Sequence, residues 1–463
     1  MRTTIEPYRI KVVEPIPFTT RERREWVLAE AGYNLFRVPA REITIDLLTD
    51  SGFSAMSASQ WGALMQGDEA YAGAESFYRF EDAVRRVTGL PHVLPTHQGR
   101  AAERLLFETL VRPGDVVPGN THFDTTRANL ERLGAVAVDL PVKEALQPGV
   151  ERPFKGNIDL ERLERVFQAE PPGRVRLVIL TLTSNGCGGQ PVSLANVREA
   201  RALCDLYGAH LFIDAARFAE NAWLLSQREN GLQGLEPRDI ARAVFDQSDG
   251  CLMSAKKDAL VNIGGFLAVR EAELAESLRR AMVVTEGFPT YGGLAGRDLE
   301  ALAVGLEEGL DAAYLAERTE QVRRLGDALH AAGVPTVRPV GGHAVYLDSR
   351  ACAPHLGPLD LPGHALCCEL YLHAGIRACE VGQLMKGVAG ADGREAPVDL
   401  DLVRLAVPRR VYTSRQLQYT AEAVIDVVHE AQARLRPMTI VEQPQSLRHF
   451  GARLRPAPVS VAR

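Results

Sequence analysis

Two adjacent lysines, Lys256 and Lys257, lie among small and apolar residues in the stretch LMSAKKDALVNIGG. Burial of an ammonium group in apolar surroundings lowers its pKa, because the charged form loses its hydration. A lysine with a depressed pKa supplies a neutral amine, which can attack a carbonyl group or accept a proton. The lysine pair therefore indicates a site of covalent chemistry in the polypeptide.

Polar residues also follow other apolar runs of the chain. PTHQGR places Gln98, Gly99 and Arg100 at a strand-to-helix turn. Free helix N–H groups, the close backbone approach allowed by glycine and a guanidinium group together suit a phosphate. The remaining candidates are Asn185 in LTSNGCGG, Asp214 and Arg217 in FIDAARFAEN, and Ser254 in MSAKKD.

A carboxylate under a heterocyclic ring, a phosphate site and a reactive lysine are what pyridoxal phosphate requires of a protein. The carboxylate keeps the pyridine nitrogen protonated, so that the ring can accept electrons, and the lysine forms the Schiff base. Taken alone, an Asp at a strand end is more often a helix cap or turn residue. The order phosphate loop, Asn185, Asp214, Lys257 is more specific, and it predicts a pyridoxal-phosphate site.

The elements that must position these residues alternate between apolar strands and amphipathic helices. LVILTLT and LFID are apolar throughout, which is typical of strands buried on both faces of a parallel sheet. We therefore predict an α/β protein with a doubly wound sheet and a site at the carboxyl ends of its strands. Residues 305–333 are predicted to form one long helical segment that ends in a glycine.

The predicted domains are an N-terminal arm with part of the small domain (residues 1–50), a large cofactor-binding domain (51–305) and a small C-terminal α+β domain (306–463). The net charge of −6 argues against nucleic acid or an anionic membrane surface as the main partner. No run reaches the ~20 apolar residues of a membrane span, and the N-terminus lacks an apolar signal core, so we expect a cytoplasmic protein. Seven cysteines without CxxC spacing are expected to be free thiols.

Eight segments together resemble the β-eliminating lyases, which cleave tryptophan or tyrosine between Cβ and Cγ. They are DLLTDSG, GDEAYAG, PTHQGR, GGQPVS, KKDALVNIGGFL, YGGLAGRD, GGHAVYLD and VRLAVPRRVYT. The resemblance extends over roughly residues 5 to 455. It implies a fold-type I enzyme that depends on pyridoxal phosphate, is activated by potassium and assembles as a homotetramer.

The resemblance also implies roles for individual residues. Lys257 is the Schiff-base lysine, and Lys256 keeps the local potential positive beside it. Asp214 pairs with the pyridine nitrogen, and Arg404 binds the substrate α-carboxylate with help from Thr49 and Ser51. The other cofactor contacts are Gln98, Gly99, Arg100 and Ser254 at the phosphate, Phe123 over the ring, and Asn185 and Arg217 near its phenolic oxygen.

Four further residues are implied at a subunit boundary and a cation site. Tyr71 reaches the site from a neighbouring subunit as a proton donor, although the motif taken alone is more typical of a buried core tyrosine. The potassium ligands are the carboxylate of Glu69 and the backbone carbonyls of Gly52 and Asn262.

Three positions of the substrate pocket point to tryptophan. Asp124, His449 and Val381 stand where the tyrosine-cleaving pattern has threonine, phenylalanine and arginine. A carboxylate can accept the hydrogen bond of an indole N–H, and an aliphatic residue leaves room for a bicyclic ring. We therefore expect tryptophan to be cleaved to indole, pyruvate and ammonia. The alternatives are tyrosine cleavage and a catalytically silent cofactor-binding protein, and Phe288, in the expected pocket, bears on fine specificity.

Overall fold

The computed structural model describes residues 4–388, 394–430 and 432–457. Its strands are β1 (Ile45–Asp46), β2 (His92–Thr96), β3 (Val116–Gly119), β4 (Val136–Asp139), β5 (Leu177–Thr181), β6 (His210–Asp214), β7 (Gly250–Ser254), β8 (Gly265–Val269), β9 (Ala344–Asp348), β10 (Ile376–Arg377), β11 (Cys379–Val381), β12 (Leu402–Ala406), β13 (Met438–Glu442) and β14 (Arg453–Pro456). Its α-helices are α1 (Arg21–Glu30), α2 (Ala58–Leu64), α3 (Glu75–Thr88), α4 (Gly99–Leu110), α5 (Asp124–Arg132), α6 (Leu160–Ala169), α7 (Leu194–Tyr207), α8 (Phe218–Arg228), α9 (Pro237–Phe245), α10 (Ala272–Thr285), α11 (Gly296–Glu308), α12 (Ala312–Ala331), α13 (Ser349–Cys352), α14 (Pro362–Ala374), α15 (Gln383–Lys386), α16 (Ser414–His429) and α17 (Arg448–Gly451).

A seven-stranded sheet with the order β2-β8-β7-β6-β5-β3-β4 forms the centre of the protein. Neighbouring strands from β7 to β4 run parallel, whereas β8 is antiparallel to both β7 and β2. The connection from β7 to β8 is shorter than a parallel crossover requires, so the chain returns antiparallel beside β7. The lysine pair lies in this short connection, at the end of β7.

The central strands are buried on both faces, as their apolar runs predicted. Along β6, Phe212 packs into the core that α4 and α10 cover, and Leu211 and Ile213 pack into the core on the opposite face. This alternation follows from the two-residue period of a strand. The mostly parallel α/β sheet predicted from the sequence is therefore confirmed.

A separate core joins the two ends of the chain. Apolar residues between 27 and 47 pack with residues from 322 to 454. The N-terminal strand β1 pairs in parallel with β10, with Ile45 opposite Ile376, and β9, β12 and β11 form an antiparallel sheet beside them. Residues just before Thr49 are thereby fixed against the C-terminal part of the chain.

The long helix predicted over residues 305–333 is wrong at one point, because it is divided between α11 and α12. A Cβ atom on Gly309 would lie 2.1 Å from the carbonyl oxygen of Asp258, so the chain passes too close for any other residue. The side chain of Asp311 then accepts a hydrogen bond from the N–H of Tyr314 at 2.7 Å and begins α12 as its N-cap. The predicted C-terminal glycine is correct, since Gly333 has a φ of 75°.

Two further expectations concern membranes and thiols. Within the described residues, no helix combines the length and the apolar character needed to cross a membrane. All seven cysteines are buried and free, in agreement with the absence of CxxC spacing.

Candidate active site

Lys257 lies at the carboxyl end of the parallel strands, in the turn that joins β7 to β8. Burial, followed by the nearby charge of Arg217, lowers the pKa of Lys257 to about 8. Burial and the charge of Arg100 also lower the pKa of Lys256. The Lys257 amine is therefore available in its neutral form at mildly alkaline pH, as a nucleophile or base requires.

Asp214 ends β6, the strand next to β7, so it reaches the same edge of the sheet as Lys257. Its carboxylate accepts a hydrogen bond from the N–H of Ala216 at 3.1 Å, and within the described residues it forms no ion pair. Burial raises the pKa of Asp214. A half-buried carboxylate with free acceptor capacity suits a protonated ring nitrogen.

The turn from β2 to α4 has the close packing that a phosphate site needs. Gln98 precedes α4 without capping it through its side chain, which leaves the positive end of the helix dipole open to an anion. A Cβ on Gly99 would lie 2.7 Å from Cβ of Ser254, so glycine is required where the two turns meet. Gln98, Gly99 and Ser254 are thus brought together as predicted, with Arg100 exposed beside them.

The first turn of α5 carries Phe123 as N-cap residue and Asp124 as first helical residue. Oδ1 of Asp124 accepts a hydrogen bond from the N–H of Thr125 at 2.6 Å. Its Oδ2 lies 3.0 Å from Nε2 of His449, which is only 3% exposed. The structure therefore pairs two residues that stand 325 positions apart in the sequence (449 − 124). Val381, at the end of β11, is buried.

Arg404 projects from β12 and is held by two groups from distant parts of the chain. Its Nη1 donates to Oδ1 of Asn185 at 2.8 Å, and its Nη2 donates to the carbonyl of Leu48 at 2.7 Å. Tyr346 also donates to Oδ1 of Asn185, at 2.7 Å. The structure thus brings Arg404 beside Asn185 and next to the segment that contains Thr49 and Ser51. Nε of Arg404 has no hydrogen-bond partner among the described residues, so the guanidinium retains a free donor.

Arg217 forms a bidentate ion pair that sequence reasoning missed. Its Nε and Nη2 donate to the two carboxylate oxygens of Asp50 at 2.9 and 2.7 Å. Burial opposes ionisation of Asp50, but Arg217 and Arg409 hold its pKa well below the ordinary value. The only signal in the sequence was the position of Asp50 between Thr49 and Ser51, in TDS. The predicted contact of Arg217 with a phenolic oxygen remains a prediction.

Three predicted site residues lie away from this centre within one chain. Tyr71 is 72% exposed, and its ring contacts Phe288 at 5.7 Å and Tyr291 at 5.3 Å between centroids. Phe288 therefore lies beside Tyr71 on the surface. Glu69 accepts hydrogen bonds from Arg297 at 3.1 Å and from the N–H of Gly296 at 3.2 Å.

The two residues predicted to bind potassium through their carbonyl groups lie close together, since a Cβ on Gly52 would be 3.2 Å from the carbonyl oxygen of Asn262. The side-chain amide of Asn262 donates to the carbonyl of Gly52 at 2.9 Å, and the N–H of Gly52 donates to the carbonyl of Lys256 at 2.8 Å. Across the described residues, no hydrogen bond or ion pair joins Glu69 to Gly52 or Asn262.

The site has three features that fit pyridoxal phosphate. They are a half-buried amine with a lowered pKa at Lys257, a carboxylate without an ionic partner at Asp214, and a glycine-lined turn at a helix N-terminus at Gly99. Together with the mostly parallel sheet, they define the fold-type I class of pyridoxal-phosphate enzymes. Solved structures agree: the serine palmitoyltransferase of Sphingomonas wittichii covers 89% of this chain and 97% of its own, with a TM-score of 0.61 and 15% identity.

Within that class, the chain belongs to the β-eliminating lyase family, whose model matches residues 46–423. The tryptophanases of Salinibacter ruber and Hyphomonas neptunium are 54% and 53% identical to it, over 100% and 98% of this chain and 98% and 99% of their own. The tyrosine phenol-lyase of a Symbiobacterium species is 48% identical over 98% of this chain and 99% of its own. The family resemblance found in the sequence is confirmed.

Proposed function

We propose that this protein cleaves L-tryptophan by pyridoxal-phosphate-dependent β-elimination to indole, pyruvate and ammonia. The observation that carries the proposal is the buried pair of Asp124 and His449, with 3.0 Å between Oδ2 and Nε2. A pocket that binds a phenolic hydroxyl has no need of this carboxylate, whereas a carboxylate can accept the hydrogen bond of an indole N–H. Higher identity to the two tryptophanases than to the tyrosine phenol-lyase supports the same choice.

The cofactor would be held by residues at or just after the ends of five strands of the large sheet, β2, β3, β5, β6 and β7. Gln98, Gly99, Arg100, Ser254 and Lys256 would surround its phosphate, and Phe123 would cover its ring. Lys257 would bind it covalently, Asp214 would pair with its ring nitrogen, and Asn185 and Arg217 would lie near its phenolic oxygen. When bound, pyridoxal phosphate supplies an electron sink for the charge that develops at the substrate Cα.

Side chains of the protein would then transfer two protons, one from the substrate Cα and one to the indole ring. The amine of Lys257 takes the α-proton, since its lowered pKa leaves it neutral at mildly alkaline pH. A second proton must reach the indole carbon that carries the side chain, because carbon leaves poorly without it. Tyr71 of the partner subunit would donate this proton, while Asp124 would accept the indole N–H, with Nε2 of His449 lying 3.0 Å from its Oδ2.

Substrate orientation would come from groups of two domains. We propose that residues 51–305 form the large domain with Lys257, and that residues 1–50 and 306–463 form the small domain with Arg404. Arg404, Thr49 and Ser51 would bind the α-carboxylate, and Arg404 would exchange its contact with Asn185 for this anion. Val381 would line the space for the bicyclic ring, and Phe288 its outer edge.

We further propose that the active unit is a cytoplasmic homotetramer. Tyr71 is mostly exposed in a single chain, and Phe288, whose ring contacts it, is exposed as well. Trp61 and Met65 are further large apolar side chains that are exposed. Exposed apolar surface of this kind marks an interaction site, and a second copy covering it could place Tyr71 in that copy's site. The seven free cysteines suit a reducing compartment.

Potassium should raise the rate of tryptophan cleavage well above the rate in sodium. The carbonyl oxygen of Asn262 lies close to Gly52, 3.2 Å from where a Cβ of Gly52 would be. A carboxylate from Glu69 of a second chain would complete an oxygen site next to the lysine turn. Rates should be measured in potassium and sodium chloride at equal ionic strength, for wild type and Glu69→Gln. Equal rates of the wild-type enzyme in both salts would remove the cation site from the proposal.

The proposed substrate can be tested by product identification. Purified protein with pyridoxal phosphate and potassium should release indole from tryptophan and far less phenol from tyrosine, because a site lacking the phenol's hydrogen-bond partner discriminates strongly. Phenol release at a comparable rate would favour tyrosine cleavage. A bound cofactor without either product would favour a catalytically silent protein.

A further inference from the structure

A cluster of six buried charged residues lies beside the proposed substrate site, and the proposed mechanism gives a task to only one of them, Arg217. It contains three arginines and three carboxylates, which we call the charge cluster: Arg217, Arg318, Arg409, Asp50, Glu220 and Asp258. The side chains are between 0 and 7% exposed. Equal numbers of opposite charges make such burial possible, since a single unpaired ion would lose its hydration without compensation.

Arg409 is the member that connects the others. Its Nη1 donates to Asp50 at 2.9 Å, and its Nη2 donates to Glu220 and Asp258, each at 2.8 Å. It follows β12, the strand that carries Arg404, by three residues. One guanidinium thus ties the strand of the carboxylate-binding arginine to the segment around Asp50 and to the large sheet.

The partners of Arg409 lie next to residues with proposed catalytic or binding tasks. Asp50 stands between Thr49 and Ser51, and Asp258 directly follows Lys257. The other oxygen of Asp258 accepts the N–H groups of Ala219 and Glu220 at 2.8 and 3.2 Å, at the start of the helix that Arg217 precedes. Arg409 therefore restrains the substrate segment and the helix behind Lys257 together.

The charge of Asp50 has a direct consequence for an anionic substrate. A buried carboxylate between two residues that bind an α-carboxylate would repel that group, because the surroundings screen charge poorly. Arg217 and Arg409 both contact Asp50 and together neutralise it. Arg217 is also expected near the cofactor, whereas Arg409 contacts Asp50 from outside the proposed cofactor site.

We propose that Arg409 is a positioning residue for the substrate α-carboxylate: by holding and neutralising Asp50, it keeps the Thr49–Ser51 segment fixed and receptive to an anion. The inference rests on the proposed function, because it takes an α-amino acid as the substrate. Arg409 does not touch the substrate, and its effect passes through Asp50.

The test compares two ligands that differ only in the carboxylate. L-Alanine and L-alaninamide lack a leaving group, and their binding to the holoenzyme can be followed by the change in cofactor absorbance. In Arg409→Gln the dissociation constant of L-alanine should rise at least about tenfold, while that of L-alaninamide should change little. Arg410→Gln is the matched control, because Arg410 pairs with Glu308 at 2.9 Å outside the cluster, and it should bind both ligands as wild type does.

A paired variant separates charge from loss of structure. Asp50→Asn with Arg409→Gln removes one charge of each sign, so it should recover much of the L-alanine affinity lost in Arg409→Gln. If Arg409→Gln fails to fold, the paired variant and Arg409→Lys carry the test. Arg409→Lys should weaken L-alanine binding selectively, because one ammonium cannot bridge three carboxylates.

Equal weakening of both ligands, unchanged affinity for L-alanine, or no recovery in the paired variant would overturn the proposal. Failure of wild type to release indole would overturn the proposed function and leave this comparison intact.

Discussion

Replacing Lys257 with alanine abolishes turnover of tryptophan, with an expected fall in kcat of at least about 10⁴-fold, the upper range for loss of a positioned acid–base group. The variant loses both the amine that would bind the cofactor covalently and the base that would take the α-proton. Absorption spectra of the purified variant with pyridoxal phosphate, together with indole release, measure the two losses separately.

Lys256→Ala is the matched control, since it removes the neighbouring ammonium from the same turn. It should retain covalent cofactor and measurable indole release, because the carbonyl of Lys256, which binds the N–H of Gly52, belongs to the backbone. Reduction with borohydride followed by peptide mapping should find the cofactor on Lys257. A reduced adduct on Lys256 would show that the two lysines had been assigned the wrong way round.

Replacing Asp124 with alanine, or His449 with phenylalanine, should lower kcat/KM for tryptophan by about two orders of magnitude, the usual effect of losing one proton-transfer or hydrogen-bonding partner. The same variants should lose much less activity toward S-ethyl-L-cysteine, because a thiolate leaves without ring protonation. Parallel assays of indole and pyruvate release on the two substrates give the comparison.

Asp159→Ala controls for the part that Asp124 plays in beginning a helix. Asp159 is the N-cap of α6 and accepts the N–H of Arg162 at 3.0 Å, so its removal costs a helix a similar contact without touching the pocket. Thermal unfolding of Asp124→Ala, His449→Phe and Asp159→Ala shows whether their stabilities fall by similar amounts. Equal losses on both substrates would mean that Asp124 and His449 support the helix and the pocket wall only.

Much of the fold could be predicted because the apolar runs are local signals. LVILTLT and LFID became β5 and β6, and the polar residues after them reached one edge of the sheet, as parallel strands require. The break between α11 and α12 could not be predicted in this way, since it depends on how close Gly309 comes to the backbone of Asp258, which only the folded chain shows.

The site residues could be predicted from the sequence where one segment supplies several of them. They could not be predicted where residues from distant segments meet. Gln98, Gly99 and Arg100 form a continuous motif, and so do Lys256 and Lys257. Asp50, in contrast, meets Arg217 and Arg409 from positions far along the chain. No local pattern distinguishes such a carboxylate from a turn residue. Tyr71 and Glu69 are harder still, because the proposed contacts require a second chain.

The pairing of β1 with β10 has a consequence for the order in which the protein is made. Ile45 lies opposite Ile376, and the carbonyl of Leu47 accepts the N–H of Ala406 at 3.0 Å. Domains tend to fold as units while the chain emerges from the ribosome, but the segment before Thr49 must wait for partners translated some 330 to 360 residues later. The large sheet with Lys257 can form first. The segment that would recognise the substrate takes its place only when synthesis is nearly complete, so a truncated chain would carry the reactive lysine without the groups that select what reaches it.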